Sequence, residues 1–272
     1  MKNHKKASLK ILGAALLAMG ASSLAQASLI VDRGLPDENL NNAAGGDRSN
    51  VAWAFNDGFL SGDDFTLGAL NPNAGKWRID QIRVWTIGGE SALGDRFSLL
   101  KLFMGADGST VPEAASANLT PESNSTDNTN VEVNKVSYAD ETVYQGSGGG
   151  LLNIWQLDFF NLGLFDPGLH LFALGGEGAD SPFTFMHASN AALSGTTQDG
   201  SDDRYRWFGG TASDASITTG NLLDSDGSGW DKSSDINIQV FATQVPAPSV
   251  IALMAVGLLG LRHQVRRRSA IS

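Results

Sequence analysis

Residues 28–244 predict an all-β fold, a β-sandwich of jelly-roll type, and three observations predict it. Apolar residues recur there with period two and almost nowhere with the 3.6-residue period of a helix. The apolar runs are short, and clusters of Gly, Asn, Asp and Ser separate them, as sheet-connecting turns require. Glycine is unusually frequent, 32 of 272 residues. Many short strands between Gly-rich turns fit a sandwich. No Pro/Ser-rich linker divides this stretch and no internal repeat is present, so it reads as one domain.

The strands follow in order. Leu29-Ile-Val31 opens the set. Ile82, Val84 and Thr86 alternate with Gln81, Arg83 and Trp85. Phe97 to Met104 is apolar on both faces apart from Lys101, as a central strand can be. Thr110 to Asn130 is polar and reads as a long surface loop. Val131 with Val133, then Val136 with Tyr138, suggest two short strands. Leu152–Phe160 and Leu169–Leu174 are joined through Gly163 and the turn Asp166-Pro167-Gly168. Phe183–Met186 and Arg204–Phe208 follow, with Gly146–Gly150 as a flexible connection before them. Ile236, Ile238, Val240 and Ala242 alternate with Asn237, Gln239 and Phe241 to give a half-buried last strand.

The net charge of −10 is an average over unlike parts. Residues 1–27 carry Lys2, Lys5, Lys6 and Lys10 with no acid, and residues 245–272 carry Arg262, Arg266, Arg267 and Arg268 with no acid. Taking these eight from the 19 bases leaves 11 against all 29 acids, a net of −18 on the body. That charge argues against nucleic acid as a partner. The absence of cysteine excludes a disulfide framework, a thiolate metal site and a cysteine nucleophile.

The N-terminal end reads as a secretory signal peptide. A basic segment precedes the apolar run Ile11–Met19, and Ala25-Gln26-Ala27 supplies the A-x-A cleavage pattern. At the C-terminal end, Val245-Pro246-Ala247-Pro248-Ser249 leads into the apolar run Val250–Leu261 and then into Arg262 and Arg266–Arg268. The run is apolar all round, which a core helix with one wet face is not. It ends in arginines that fit a stop-transfer signal held inside, so it reads as a short single transmembrane helix.

These three ordered parts resemble the PEP-CTERM sorting signal of exported Gram-negative proteins. The resemblance covers residues 245–272 and implies export, a transient membrane anchor, and processing by an exosortase near Pro246-Ala247-Pro248. That enzyme is a membrane cysteine transpeptidase. Family members usually carry Glu where this chain has Ala247. The resemblance implies a cell-surface or matrix destination beside extracellular polysaccharide in a biofilm, and it does not define what the body does.

Within the body, the one metal-like pattern runs from Asp224 to Asp235. Asp224, Asp226 and Ser228 fall at positions 1, 3 and 5 of a calcium loop, Gly229 at position 6 and Asp235 at position 12. Lys232 at position 9 and Asp in place of Glu at position 12 depart from it. Gly62-Asp63-Asp64-Phe65 and Asp199–Asp203 read as weaker acidic turns. No cofactor is required by any motif, and calcium is the one candidate ion. No G-x-S-x-G elbow or phosphate-binding glycine loop occurs. His170 and His187 read as core or edge histidines, since no Ser or Cys partner motif accompanies them. A hydrolase would need two facing carboxylates, and nothing in the spacing marks such a pair. Exposed tryptophans stack on sugar rings, and Trp207, flanked by Arg204 and Arg206, and Trp230, in the acidic loop, are the candidates for glycan contact. The expectation is a non-enzymatic surface protein, with a carbohydrate-binding module as the alternative and a surface hydrolase third.

Overall fold

The computed structural model describes residues 27–36, 51–52, 59–88, 93–95, 97–106, 108, 110–120, 126–137, 153–178, 185–187, 189, 199, 205–224 and 235–247. The N-terminal apolar run, the C-terminal apolar run and the arginine cluster lie outside them. No helix among the described residues is long and apolar enough to cross a membrane.

The described residues form strands β1 (Ser28–Asp32), β2 (Val51–Ala52), β3 (Phe59–Leu67), β4 (Ala74–Gly88), β5 (Phe97–Ala106), β6 (Val111–Asn118) and β7 (Val131–Val136). They continue with β8 (Asn153–Phe165), β9 (Gly168–Gly178), β10 (Phe185–Met186), β11 (Arg206–Gly209), β12 (Ser216–Asp224) and β13 (Ile238–Pro246). Two layers result, all antiparallel. In one, β4 is the spine: β8 and then β7 pair along one edge, while β13 with β1, and β10 with β2, pair along the other. The other layer closes on itself in the order β11-β12-β6-β5-β9-β3. The expected all-β sandwich is therefore present, with one of its two layers rolled into a small barrel.

Alternation decides what each face does. Ile82 and Val84 on β4, Leu157 and Phe159 on β8, and Ile238 and Val240 on β13 point inward together. They meet Leu100, Leu102 and Met104 of β5, Phe172 and Leu174 of β9, and Phe65 and Leu67 of β3 in one interlayer core. The alternate residues of the barrel strands make a second, smaller core inside the ring: Leu60, Phe103, Val111, Leu171, Ala173, Phe208 and Ile217. Closing so small a ring needs close backbone approach. At Gly62 a Cβ would lie 1.9 Å from the Phe172 carbonyl oxygen, so only glycine lets β3 run that near β9.

Two expectations are corrected. Thr110–Asn130 is not one surface loop, because Val111–Asn118 is strand β6, paired with β5 and β12. Its run Ala114-Ala115-Ser116-Ala117 carries no strand signal, and the neighbouring strands supply the partners that its composition does not advertise. Gly62-Asp63-Asp64-Phe65 is not a turn but the middle of β3. Two aspartates can sit in a buried strand there because cations from other segments reach them.

Candidate functional site

Those cations define a charged cluster at one end of the interlayer core. Val31 packs inward at the end of β1, and Arg33, two residues on, points the same way with no exposed surface. Its Nη1 donates to Asp63 Oδ2 at 2.9 Å and lies 3.4 Å from Asp235 Oδ1. Its Nη2 donates to the Asp64 carbonyl at 2.8 Å and its Nε to the Asp199 carbonyl at 3.2 Å. Arg206 on β11 donates from Nε and Nη2 to Asp64 Oδ2 at 2.9 and 2.6 Å. Asp63 also accepts from the Ile236 and Asp64 amides, at 2.7 and 2.8 Å. Beside it Asn237 donates to the Arg33 carbonyl at 2.6 Å, and its Oδ1 meets His187 Nδ1.

Three carboxylates face two guanidiniums here, so full ionisation would bury a net negative charge. Burial holds the Asp63 carboxyl well above the usual carboxylate range; Arg33 opposes the rise, and the charges of Asp235 and Asp64 add to it. Chemically the cluster joins the two layers: Arg33 comes from the end of β1, Asp63 and Asp64 from the barrel. Asp63 and Asp235 do form an apposed carboxylate pair, but both are fully buried on one arginine, with no access for a substrate.

Asp235, the expected twelfth-position calcium ligand, is thus turned onto Arg33. Asp224 ends β12, opposite Arg206 in register. Asp226 and Ser228 lie outside the described residues. Among the described residues no group of three or more acidic or histidine side chains is placed to hold a metal ion. Trp207 falls within β11, and Trp230 lies outside the described residues.

The opposite end carries those residues of the expected sorting motif that are described. Beyond Asp235, β13 itself runs about 30 Å to its far end, where Val245 pairs with Lys76 and Pro246 with Ala74. The Ala247 amide donates to the Asn73 carbonyl at 2.9 Å. A Cβ on Gly75 would lie 3.1 Å from Ala247 Cα, so the two backbones cross closely there. The last strand thus enters the motif without a linker. Pro248, Ser249 and Arg266–Arg268, like Ala25 of the expected cleavage pattern, lie outside the described residues; Ala27 is the first described residue.

A third feature was not legible as a site in the sequence. On the outer face of the open layer, register lines up Asp32, Gln239, Arg83, Asp158 and Glu132 across five strands. Arg83 clamps Asp158 with two bonds, from Nε at 2.7 Å and Nη2 at 3.0 Å, and Gln156 donates to the same carboxylate at 2.8 Å. The Arg83 guanidinium also sits 5.8 Å above the Phe241 ring. The alternation of Gln, Arg and Asp in each strand was visible, but which residues share a row depends on register.

Comparison of the chain with family models, with curated proteins and with solved structures gives no match to any of them.

Proposed function

We propose that this is an exported, non-enzymatic protein of the cell surface or extracellular matrix, a jelly-roll-like acidic body sorted through its C-terminal PEP-CTERM-like signal by an exosortase. The observation that carries this reading is the order of the chain: a basic and apolar leader ending in Ala25-Gln26-Ala27, a body of net charge −18, then Val245-Pro-Ala-Pro-Ser249, an apolar run and an arginine cluster. The basic ends stay inside and the acidic body crosses. The geometry of β13 adds a constraint on processing. Val245 to Ala247 are part of the body's hydrogen-bonded edge, so a body that keeps its last strand is cut after Ala247. Mass spectrometry of the mature protein is expected to find a chain beginning near Ser28 and ending between Ala247 and the apolar run. A mature chain that retains Arg266–Arg268 overturns processing, and one that ends before Val245 overturns the cut position.

The second reading is a binding module for extracellular polysaccharide, favoured by the polar row on the outer face. The bidentate Arg83–Asp158 pair, the Gln156 and Gln239 amide side chains and the Phe241 ring offer both the hydrogen bonds and the apolar face that a sugar ring uses. Calcium enters this reading through the loop of Asp224, Asp226, Ser228 and Asp235. Affinity electrophoresis against the host's own polysaccharide, with and without chelator, tests it. Arg83→Ala is expected to weaken retention roughly tenfold, the loss of one good charged contact. Unchanged retention, or none in the parent protein, removes this reading.

A further inference from the structure

The β8–β9 connection is the turn Phe165-Asp166-Pro167-Gly168, and it places a histidine on one particular carbonyl. His170 Nε2 lies 2.9 Å from the Asp166 main-chain oxygen, the carbonyl of the Asp166–Pro167 peptide bond. A carbonyl only accepts, so Nε2 carries the proton. The other ring nitrogen, Nδ1, is buried with no hydrogen-bond partner, a tolerable state for a lone pair. The ring is fixed edge-on to Phe165, centroids 5.4 Å apart, and tilted against Phe65 at 5.9 Å. Gly168, at φ +131°, takes a backbone conformation that side-chain-bearing residues rarely adopt, which lets the chain return so that residue 170 reaches back to residue 166. The Asp166 side chain is 72% exposed, and Lys76 Nζ holds its Oδ2 at 3.0 Å.

We propose that the chain cuts its own backbone between Asp166 and Pro167 in mild acid. The Asp166 carboxylate attacks its own main-chain carbonyl carbon and closes a five-membered anhydride. The C–N bond to Pro167 breaks, and the proline nitrogen leaves as a secondary amine with a proton from solvent. Water then opens the anhydride, so one fragment ends in Asp166, the other begins with Pro167, and one water is consumed. His170 donates to the oxygen on which negative charge develops, the position where a fixed donor accelerates acyl chemistry. Lys76 holds one carboxylate oxygen and leaves the other to attack. Proline is suited to depart because its nitrogen is a tertiary amide in the chain and a basic amine afterwards. The cut severs one of the chain connections between the layers, since β8 pairs with β4 and β7 while β9 pairs with β3 and β5. The fragments stay associated through those pairings and separate only on denaturation.

The experiment is incubation of the purified full chain in mildly acidic buffer, native and in urea, followed by denaturing mass spectrometry. The expected result is a fragment beginning at Pro167 that accumulates faster from the native than from the urea-unfolded chain. It is absent in Asp166→Ala, and in a folded His170→Phe it forms roughly tenfold more slowly or worse, toward the 10²–10³ typical of a full oxyanion donor. No cut at this bond, equal rates native and unfolded, or undiminished cutting without His170 overturns the proposal. Should His170→Phe not fold by circular dichroism, Pro167→Ala decides instead: it keeps the histidine and worsens the leaving group, and undiminished cutting there also overturns it.

Discussion

Arg33→Met is expected to lower the unfolding free energy of the body by about 3–5 kcal/mol, the cost of leaving buried carboxylates without their cation. The guanidinium has no exposed surface and serves Asp63, Asp235 and two main-chain carbonyls at once. Methionine fills much of the volume but returns none of those bonds. Urea denaturation at neutral pH reads the loss as a shift in midpoint at unchanged slope. A shift worth under about 1 kcal/mol would place this cluster among weak surface pairs instead. Repeating the titration across pH tests the state of Asp63. Its folded pKa is raised by burial, so the native state holds that proton more tightly than the unfolded chain. The contribution is fully present below the unfolded value, near 4, and is lost as pH rises through the folded value. Asp63→Asn cannot lose the proton, so its stability relative to the parent is expected to improve as pH climbs through that window. A parent and variant that run parallel across the window would show that Asp63 is ionised throughout.

Phe103→Ala is expected to cost about 3–5 kcal/mol as well, through a different mechanism. Among the described residues the ring interior holds seven buried apolar side chains, of which Phe103 and Phe208 are the bulkiest. Removing one phenyl ring from so small a core leaves a cavity that a closed ring of hydrogen-bonded strands cannot collapse to fill. Phe103→Leu, which keeps most of the volume, is expected to lose roughly 1–2 kcal/mol. Thermal unfolding of both variants checks the order. Equal and small losses would show that the barrel interior is not tightly packed.

Much of the architecture was readable because burial leaves a period-2 trace. Ile82, Val84, Ile238 and Val240 announce their inward face in any sequence window, and β4 and β13 form where those patterns lie. β6 was not readable, since Ala114, Ala115, Ser116 and Ala117 have no strand preference of their own, and β5 beside them supplies it. The Asp63-Asp64 pair misled for a related reason. Adjacent aspartates and a glycine are ordinary in turns, and only Arg33 and Arg206, 30 and 142 residues away in the chain, make them tolerable in a strand. Asp235, the last position of the loop motif, likewise stands beside Arg33 as a second carboxylate, a contact no local window shows.

By itself the sequence determined the class of the body, the boundaries of its basic and apolar ends, and the acidity of what lies between them, because these depend only on composition and local period. The tertiary structure decided the rest. It decided that one layer closes into a barrel, that Arg33 joins the layers, that Arg83 and Asp158 share a row, and that His170 reaches the Asp166 carbonyl. Each of these is a contact whose partners are set by strand register and strand order, and neither is written in any local window of the chain.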